Sequence, residues 1–240
     1  MYNLFQTWKT QNLNPKILKL HSKMLKKNNS LSQTIYTDTQ MIDSVMSNFN
    51  EEICSNFKRL NNVVAKADYW RYLMLYKYGG VYLDIDSLIL DSLNSNYFEP
   101  NTGYISLELN KKYFIQWSLI YDKDHPVLKK CIENIGINLK NNLYKNDISS
   151  LTGPKLYTKS ILETLNKESI YLEDLVSADK KNSKFEIKIN KHKLVFVPSN
   201  QYDKEFLFKH KYTHLLNNRN KGTLEESHWT VTQSKQDVYN

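Results

Sequence analysis

The sequence predicts an α/β fold with a mostly parallel central sheet flanked by helices. Short apolar segments with the two-residue alternation of strands are separated by segments with the three- and four-residue spacing of helices. Up to residue 86 the order is strand, helix, strand, helix, helix, strand, as expected when helices connect parallel strands. Of the 240 residues, 40% are hydrophobic, which is enough for one sizeable core. We therefore expect a single domain covering residues 1–240.

The first elements can be read in chain order. A strand at 2–6 is followed by a loop that contains Trp8, and a helix through Lys27 begins at Asn14 and Pro15. A second strand covers 32–36. Asp38 follows it and is predicted to cap the next helix, with contact to a ligand as the alternative.

The stretch from Phe57 to Asp86 is the centre of the predicted fold. Apolar residues at helical spacing between Phe57 and Tyr78 indicate one helix with one buried face, and two glycines end it. Apolar and polar residues then alternate, so Asp84 and Asp86 project from one face of a strand end, roughly 7 Å apart at Cα. Such paired carboxylates repel each other unless a cation such as Mg²⁺ or Mn²⁺ binds them. An isolated Asp-x-Asp sequence, however, is more often a solvated strand end than a metal site.

The helix before the strand carries a second polar pair. Asp68 and Arg71 lie one turn apart on a shared face. The carboxylate can accept from ribose hydroxyls, and the guanidinium can donate to a phosphate or a base.

The second half of the chain continues the alternation of strands and helices. The pattern predicts strands at 87–90, 103–107, 185–189 and 193–197, helices from Pro126 and Pro154, and an exposed loop at 179–184.

Composition limits the classes of partner. Lys and Arg number 33 against 25 Asp and Glu, and the net charge of +8 favours anionic partners such as a nucleotide diphosphate. The lysines are dispersed, so we expect no nucleic-acid partner. There is no run of 18 apolar residues and no signal peptide, which predicts a soluble, cytoplasmic protein with no transmembrane segment. Cys54 and Cys131 have no CxxC spacing and are predicted to be buried thiols.

Residues 68–86 read D-x-x-R-Y-x-x-L-Y-x-x-G-G-V-Y-x-D-x-D. This pattern resembles the DxD-containing sugar-binding region of the glycosyltransferase family that includes fungal initiating α-1,6-mannosyltransferases, α-1,4-galactosyltransferases and, more distantly, clostridial glucosylating toxins. The resemblance covers roughly residues 1–230 and implies a GT-A type, Rossmann-like fold. It also implies that Asp84 faces the ribose and metal, that Asp86 binds the metal, and that Asp68, Arg71 and Tyr82 contact the donor.

Three further segments are similar to the family. Trp8 lies in a stretch like the family's I-H-Q-x-W, where the resemblance implies stacking on the base; a Trp buried under a loop is the alternative. Gln116 belongs to a Q-W segment that the resemblance places beside the sugar, which makes it a catalytic candidate. Gly153 lies in a T-G-P turn that the resemblance places near donor and acceptor, although a local role, with Thr152 as a cap, would also explain that turn. His125 is expected to cap a helix or to pack in the core, and not to act in catalysis.

The C-terminal region resembles the family's closing H...S-W segment. The resemblance implies that Ser227 and Trp229 form a loop over the diphosphate, with Trp229 taking part in catalysis. One of His214, His228 and Glu225 is expected to complete the metal shell, and a longer spacing than in relatives leaves the three in competition.

The resemblance therefore implies a metal-dependent, retaining glycosyltransferase. It would use Mn²⁺ or Mg²⁺ to transfer a hexose from a UDP- or GDP-sugar to a saccharide or other hydroxyl acceptor by front-face attack. An effector that glycosylates proteins and an inactive nucleotide-sugar-binding protein are the alternatives. Eukaryotic members carry an N-terminal Golgi anchor. The resemblance therefore implies either a cytoplasmic bacterial or viral form, acting in the host cytoplasm if viral, or a chain trimmed from a longer protein.

Overall fold

A computed structural model describes residues 1–89, 92–93, 95–205, 208–209 and 237–240. In this part of the chain the strands are β1 Tyr2–Thr7, β2 Leu31–Tyr36, β3 Gly80–Leu83, β4 Leu88–Ile89, β5 Thr102–Ile105, β6 Ser118–Tyr121, β7 Phe185–Ile189, β8 His192–Phe196 and β9 Phe208–Lys209. The helices are α1 Pro15–Lys27, α2 Asp38–Asn48, α3 Glu51–Arg59, α4 Val63–Tyr78, α5 Pro126–Lys140, α6 Ile148–Leu151, α7 Pro154–Leu165, α8 Leu172–Lys180 and α9 Ser199–Glu205.

Seven strands form the central sheet, in the order β2-β1-β3-β6-β5-β8-β7. The α/β class is confirmed, but the sheet is mixed rather than mostly parallel. Strand β1 pairs in parallel with β2 and β3, and β5 with β8, whereas β6 is antiparallel to both its neighbours and β7 is antiparallel to β8. The sequence pattern missed β6, which joins the parallel half to the rest of the sheet, because its four residues are all buried and do not alternate.

Helices cover both faces of the sheet. Alternate strand residues such as Phe5 and Tyr82 pack into the larger core with helices α2 to α5 and α7. Their neighbours Leu4 and Val81 pack on the opposite face with α1 and with Tyr202 of α9. The alternation expected of β3 is therefore confirmed, and the sheet is the middle layer of three.

The central helix differs from the prediction in two ways. The helical pattern after Phe57 is broken at Leu60, and Asn62 caps the start of α4 by accepting from the Val64 N–H. Residues 68–75 are all buried, so these two turns of α4 are enclosed on every side instead of having one buried face. The reason is that Trp70 packs toward the sheet against Phe5, while Tyr72 stacks on Tyr157 of α7.

The helix ends follow local capping chemistry. Asn14 caps α1 and His125 caps α5, as predicted. Asp38 is not a cap: Thr37 forms a capping box with Gln40, and Asp38 lies in the first turn.

The later elements also differ in part. Strand β4 does not continue β3 but pairs with β9 in a separate two-stranded sheet. The loop predicted at 179–184 begins later than expected, because residues 179 and 180 belong to α8. Asp179 is buried there and ion-paired with Lys111. The predicted strands at 185–189 and 193–197 are confirmed as β7 and β8, paired antiparallel.

Both cysteines are free thiols; Cys131 is buried as predicted and Cys54 is half-buried. Among the residues described above, no helix combines the length and the apolar character needed to cross a membrane.

Two glycines join α4 to β3. Gly79 has φ +63°, and its N–H donates to Leu75 O at 2.9 Å, which closes the helix. Gly80 has φ +114°, and a Cβ at this position would lie 2.4 Å from the carbonyl oxygen of Asn3 on the neighbouring strand. The motif therefore needs glycine at residue 80 because β1 and β3 approach each other closely there.

We expect Gly80→Ala to lower the free energy of unfolding by about 1–3 kcal/mol, because it combines a disfavoured φ with a backbone clash. Gly136→Ala in α5 is the matched control, since a Cβ there meets only the Asn56 side chain at 3.4 Å. It should raise stability by about 0.5–1 kcal/mol. Urea unfolding measures the free energy of unfolding of both variants. Equal stabilities would contradict the conclusion that residue 80 must be glycine.

Candidate active site

The candidate residues meet at the carboxyl ends of two adjacent parallel strands. Trp8 follows β1, and Asp84 follows β3; the two strands pair with Leu4 opposite Val81. Strand β3 ends at Leu83, so Asp84, Ile85 and Asp86 form a turn rather than the strand end that the sequence predicts. The Asp84 N–H donates to Trp117 O, and the Ser87 N–H donates back to Asp84 O. Ligands commonly bind at this edge of open α/β sheets.

Arg71 links the helix to the turn. Its Nη2 lies 3.0 Å from Asp68 Oδ1 and its Nη1 lies 3.6 Å from Asp84 Oδ1. Nη1 also donates to Gln116 O at 2.9 Å. The Arg71 and Asp68 side chains are only 8% and 6% exposed, so this is a buried ion pair, whereas Asp84 is 32% exposed. One guanidinium therefore holds three separate segments of the chain together.

Tyr82 supports the same cluster from the strand. The Arg71 guanidinium lies over its ring, 4.3 Å from the centroid, and its hydroxyl donates to Asp84 Oδ1 at 2.8 Å. Burial, above all, raises the pKa of Tyr82, so the hydroxyl stays protonated and able to donate. Tyr82 thus orients one oxygen of the Asp84 carboxylate.

The turn before α7 reaches this cluster from the second half of the chain. Thr152 Oγ1 donates to Asp68 Oδ2 at 3.2 Å. A Cβ at Gly153 would lie 3.3 Å from the same oxygen and 2.9 Å from Ser149 Cα, so a side chain at residue 153 would cover Asp68. Thr152 does not cap α7, whose N-cap is Gly153. The turn therefore has two roles: Thr152 donates a hydrogen bond to the Asp68 carboxylate, and Gly153 begins the helix.

Gln116 is buried behind the carboxylates. Its side-chain amide nitrogen donates to Tyr72 Oη and to Thr152 O at 3.3 Å, while its backbone carbonyl accepts from Arg71. The Tyr72 hydroxyl also donates to Thr152 O at 3.0 Å. Gln116 therefore lies in the cluster, as the sequence predicts, and joins Arg71 to the turn before α7.

Asp68 has an unusual protonation equilibrium. Its pKa is raised to about 6: burial is the largest cause, Arg71 and Thr152 act to lower the pKa, and the nearby charge of Asp84 acts with burial to raise it. Two carboxylates share one guanidinium here, and Asp86 follows two residues after Asp84. The cluster is therefore negative overall, which is an electrostatic setting that favours a cation.

Trp8 lies next to the turn. Its N–H donates to Tyr36 O at 2.9 Å, and its half-buried ring packs against a small apolar cluster of Leu13, Ile17 and Ile85. Ile85 is the residue between the two carboxylates. One part of the ring therefore packs on the core and another part remains accessible. This position is compatible with both predicted roles of Trp8, packing under the loop and stacking on a base.

Five site candidates lie outside the described residues, namely His214, Glu225, Ser227, His228 and Trp229. In the part of the chain that the structure does describe, no group of three or more His, Cys, Asp or Glu side chains could hold a metal ion. The carboxylates of Asp84 and Asp86 suit a hard divalent cation that takes its other ligands from water or phosphate. The third protein ligand stays a prediction.

Three buried or half-buried polar side chains beneath the turn were not identified from the sequence: Gln6, His21 and Gln33. The available signal was weak. His21 interrupts the apolar face that Ile17 and Met24 form on α1, and Gln6 follows two core residues in β1. A polar residue at a core position of a helix or strand is the pattern that could have indicated them.

The comparison with known families agrees with this geometry. Residues 2–103 match the family described as "Glycosyltransferase sugar-binding region containing DXD motif". The match includes Trp8, the Asp68 and Arg71 pair and both carboxylates of the turn. The resemblance noted in the sequence is thereby confirmed.

Two curated fungal relatives bear the name initiation-specific alpha-1,6-mannosyltransferase. The one from Candida albicans is 26% identical over 206 residues, covering 68% of this chain and 53% of the relative. The one from Schizosaccharomyces pombe is 28% identical over 57% of this chain and 42% of the relative. The chain therefore spans about half the length of these relatives.

A solved structure titled PaToxG Glycosyltransferase has a similar fold. It superposes with a TM-score of 0.57 at 17% sequence identity and covers 75% of this chain and 74% of that chain. At this identity the likeness concerns the fold, and it confirms the GT-A-like α/β architecture.

We expect Asp68→Asn to change how stability depends on pH. The folded-state pKa of about 6 exceeds the ordinary 3.8, so the folded protein takes up this proton at a higher pH than the unfolded chain. The contribution of Asp68 to the free energy of unfolding therefore rises as the pH falls from about 7 to about 5. The melting temperature of wild type minus that of Asp68→Asn should increase over this range. Asp43→Asn on the exposed face of α2 is the control, and its melting-temperature difference from wild type should not change with pH. A difference for Asp68→Asn that also does not change with pH would contradict the raised pKa of Asp68.

Proposed function

We propose that the chain transfers a hexose from a nucleotide-diphosphate sugar to a hydroxyl acceptor, because residues 2–103 match the glycosyltransferase sugar-binding region that contains the DXD motif. The observation that carries the proposal is the meeting of Asp68, Arg71 and Asp84 at the end of β3. These residues come from a helix and a turn, and Thr152 joins them from another segment. Such convergence of separate segments is expected of a binding site and not of a solvated strand end.

We propose that Mn²⁺, or Mg²⁺ in its place, is bound by Asp84 and Asp86. Their oxygens suit a hard cation, and the negative cluster around Arg71 favours one. His214, Glu225 and His228 are the candidates for a further ligand. When bound, the cation would neutralise the charge that develops on the departing diphosphate.

The chain's own residues would bind and orient the donor. Asp68 would accept a hydrogen bond from a donor hydroxyl, because each of its oxygens retains a second lone pair beside the bonds to Arg71 and Thr152. Gly153 places no side chain against that carboxylate, where a Cβ would lie 3.3 Å from Oδ2. Trp8 would stack on the base at the end of β1. Gln116 and Tyr82 would hold Arg71 and Asp84 in place beside the donor.

A saccharide is the acceptor that the names of the fungal relatives favour, and the same names make a nucleotide-linked mannose the first donor to test. A protein acceptor would use the same donor site. An inactive nucleotide-sugar-binding protein is disfavoured, since both carboxylates of the motif are present. Retention of the anomeric configuration by front-face attack remains part of the proposal through the family resemblance.

The first test is a panel of UDP- and GDP-hexoses assayed for slow transfer to water. We expect either the UDP-hexoses or the GDP-hexoses to release nucleoside diphosphate in the presence of Mn²⁺. Ca²⁺ should support less turnover because it prefers larger oxygen shells. Chelation should abolish the reaction. Release of nucleoside diphosphate is measured directly, and an undiminished rate in chelator would contradict the metal assignment.

Asp86→Asn separates metal binding from folding. The amide keeps the shape of the side chain but lacks the charge of a metal ligand, so Mn²⁺-dependent affinity for nucleoside diphosphate should fall by about ten- to a hundredfold. Calorimetry with and without Mn²⁺ measures this, and Asp43→Asn is the control with the same chemical change on an exposed helix face. Thermal melts should show both variants folded. Wild-type Mn²⁺ enhancement in Asp86→Asn would mean that this carboxylate does not bind the cation.

A further inference from the structure

Three polar side chains form a hydrogen-bonded row beneath the turn that carries Asp84 and Asp86. They come from three elements: Gln6 from β1, His21 from α1 and Gln33 from β2. Gln6 is fully buried and His21 is 2% exposed. Gln33 lies between them, with its amide nitrogen 2.5 Å from Gln6 Oε1 and 3.1 Å from His21 Nδ1.

Both ends of the row contact the backbone of the turn. His21 Nε2 lies 3.2 Å from Ile85 O, and Gln6 Nε2 donates to Asp84 O at 3.3 Å. A carbonyl oxygen only accepts, so His21 carries its proton on Nε2, and Nδ1 accepts from the Gln33 amide. One assignment of protons therefore satisfies the whole row: Gln33 donates to its two neighbours, and they donate to the turn. Burial also lowers the pKa of His21, in keeping with a neutral ring.

The two carbonyls belong to successive peptide planes. Asp84 O fixes the plane between residues 84 and 85, and Ile85 O fixes the plane between residues 85 and 86. Holding both planes fixes φ and ψ of Ile85, and these two angles set the position of the Asp86 Cα relative to the Asp84 Cα, the two points from which the carboxylates extend. The Ile85 side chain is anchored as well, because it packs with Leu13 and Ile17.

We propose that the row of His21, Gln33 and Gln6 positions the two carboxylates of the turn for a divalent cation and the diphosphate of the donor. These are positioning residues, since they act through the backbone of the turn and touch no ligand themselves. The inference rests on the proposed function. An apolar side chain at residue 21 would continue the face formed by Ile17 and Met24, so packing alone does not require a histidine there.

The test compares two substitutions of His21. His21→Phe keeps an aromatic ring but removes both hydrogen bonds, whereas His21→Gln keeps one donor and one acceptor. The Val45→Ala variant is the control for lost stability, because Val45 is fully buried in α2 on the opposite face of the sheet. Calorimetry measures UDP and GDP affinity with and without Mn²⁺, and thermal melts measure stability.

We expect His21→Phe to weaken Mn²⁺-dependent nucleoside diphosphate binding by about ten- to a hundredfold, as loss of residues that orient metal ligands does elsewhere. Metal-free binding should change by less than about twofold, since no ligand contact is removed. His21→Gln should recover most of the affinity. Val45→Ala should lower the melting temperature while its affinity stays at the wild-type value.

The Gln33→Leu variant interrupts the row at a half-buried position and should show the same selective loss, which keeps the test open if His21→Phe does not fold. Wild-type Mn²⁺-dependent affinity in a folded His21→Phe or Gln33→Leu variant would overturn the inference and leave the proposed function standing. Equal losses with and without Mn²⁺ would overturn it too. A wild-type protein that binds neither UDP nor GDP with Mn²⁺ would overturn the proposed function and this inference with it.

Discussion

The buried charge of Arg71 is the constraint on which the candidate site depends. A guanidinium removed from water is stable only when carboxylates and hydrogen-bond acceptors surround it, and Asp68, Asp84 and the Gln116 carbonyl supply them. These partners belong to α4, to the turn after β3 and to the segment before β6. Satisfying one charge therefore fixes the relative positions of three segments. The aromatic face of Tyr82 closes the remaining side.

The sheet topology explains why this charge lies where it does. Strands β1 and β3 are parallel neighbours, so Trp8 and Asp84 emerge at the same edge, and the antiparallel β6 brings Trp117 and Gln116 beside them. Enclosure of α4 by the sheet and by α5 and α7 excludes water from its polar pair. The raised pKa of Asp68 is the direct result of that enclosure.

The site extends beyond the segment that matches the glycosyltransferase family. That segment ends at residue 103, yet Gln116, Thr152 and Gly153 contact or closely approach members of the cluster. The second half of the chain thus completes the surroundings of Asp68. Beneath the turn, the row of Gln6, Gln33 and His21 fixes its backbone from the other side.

The sequence by itself determined the α/β class, the helix ends at Asn14, His125 and Gly79, and the motif that carries Asp84 and Asp86, because these depend on short-range periodicity, capping and backbone freedom. Only the tertiary structure decided the mixed sheet, the burial of α4 on every side between residues 68 and 75, and the row beneath the turn. Strand direction, enclosure and buried polar partners depend on segments far apart in the chain. No local pattern can show that Gln33 lies between Gln6 and His21, since they meet only when β1, α1 and β2 pack together.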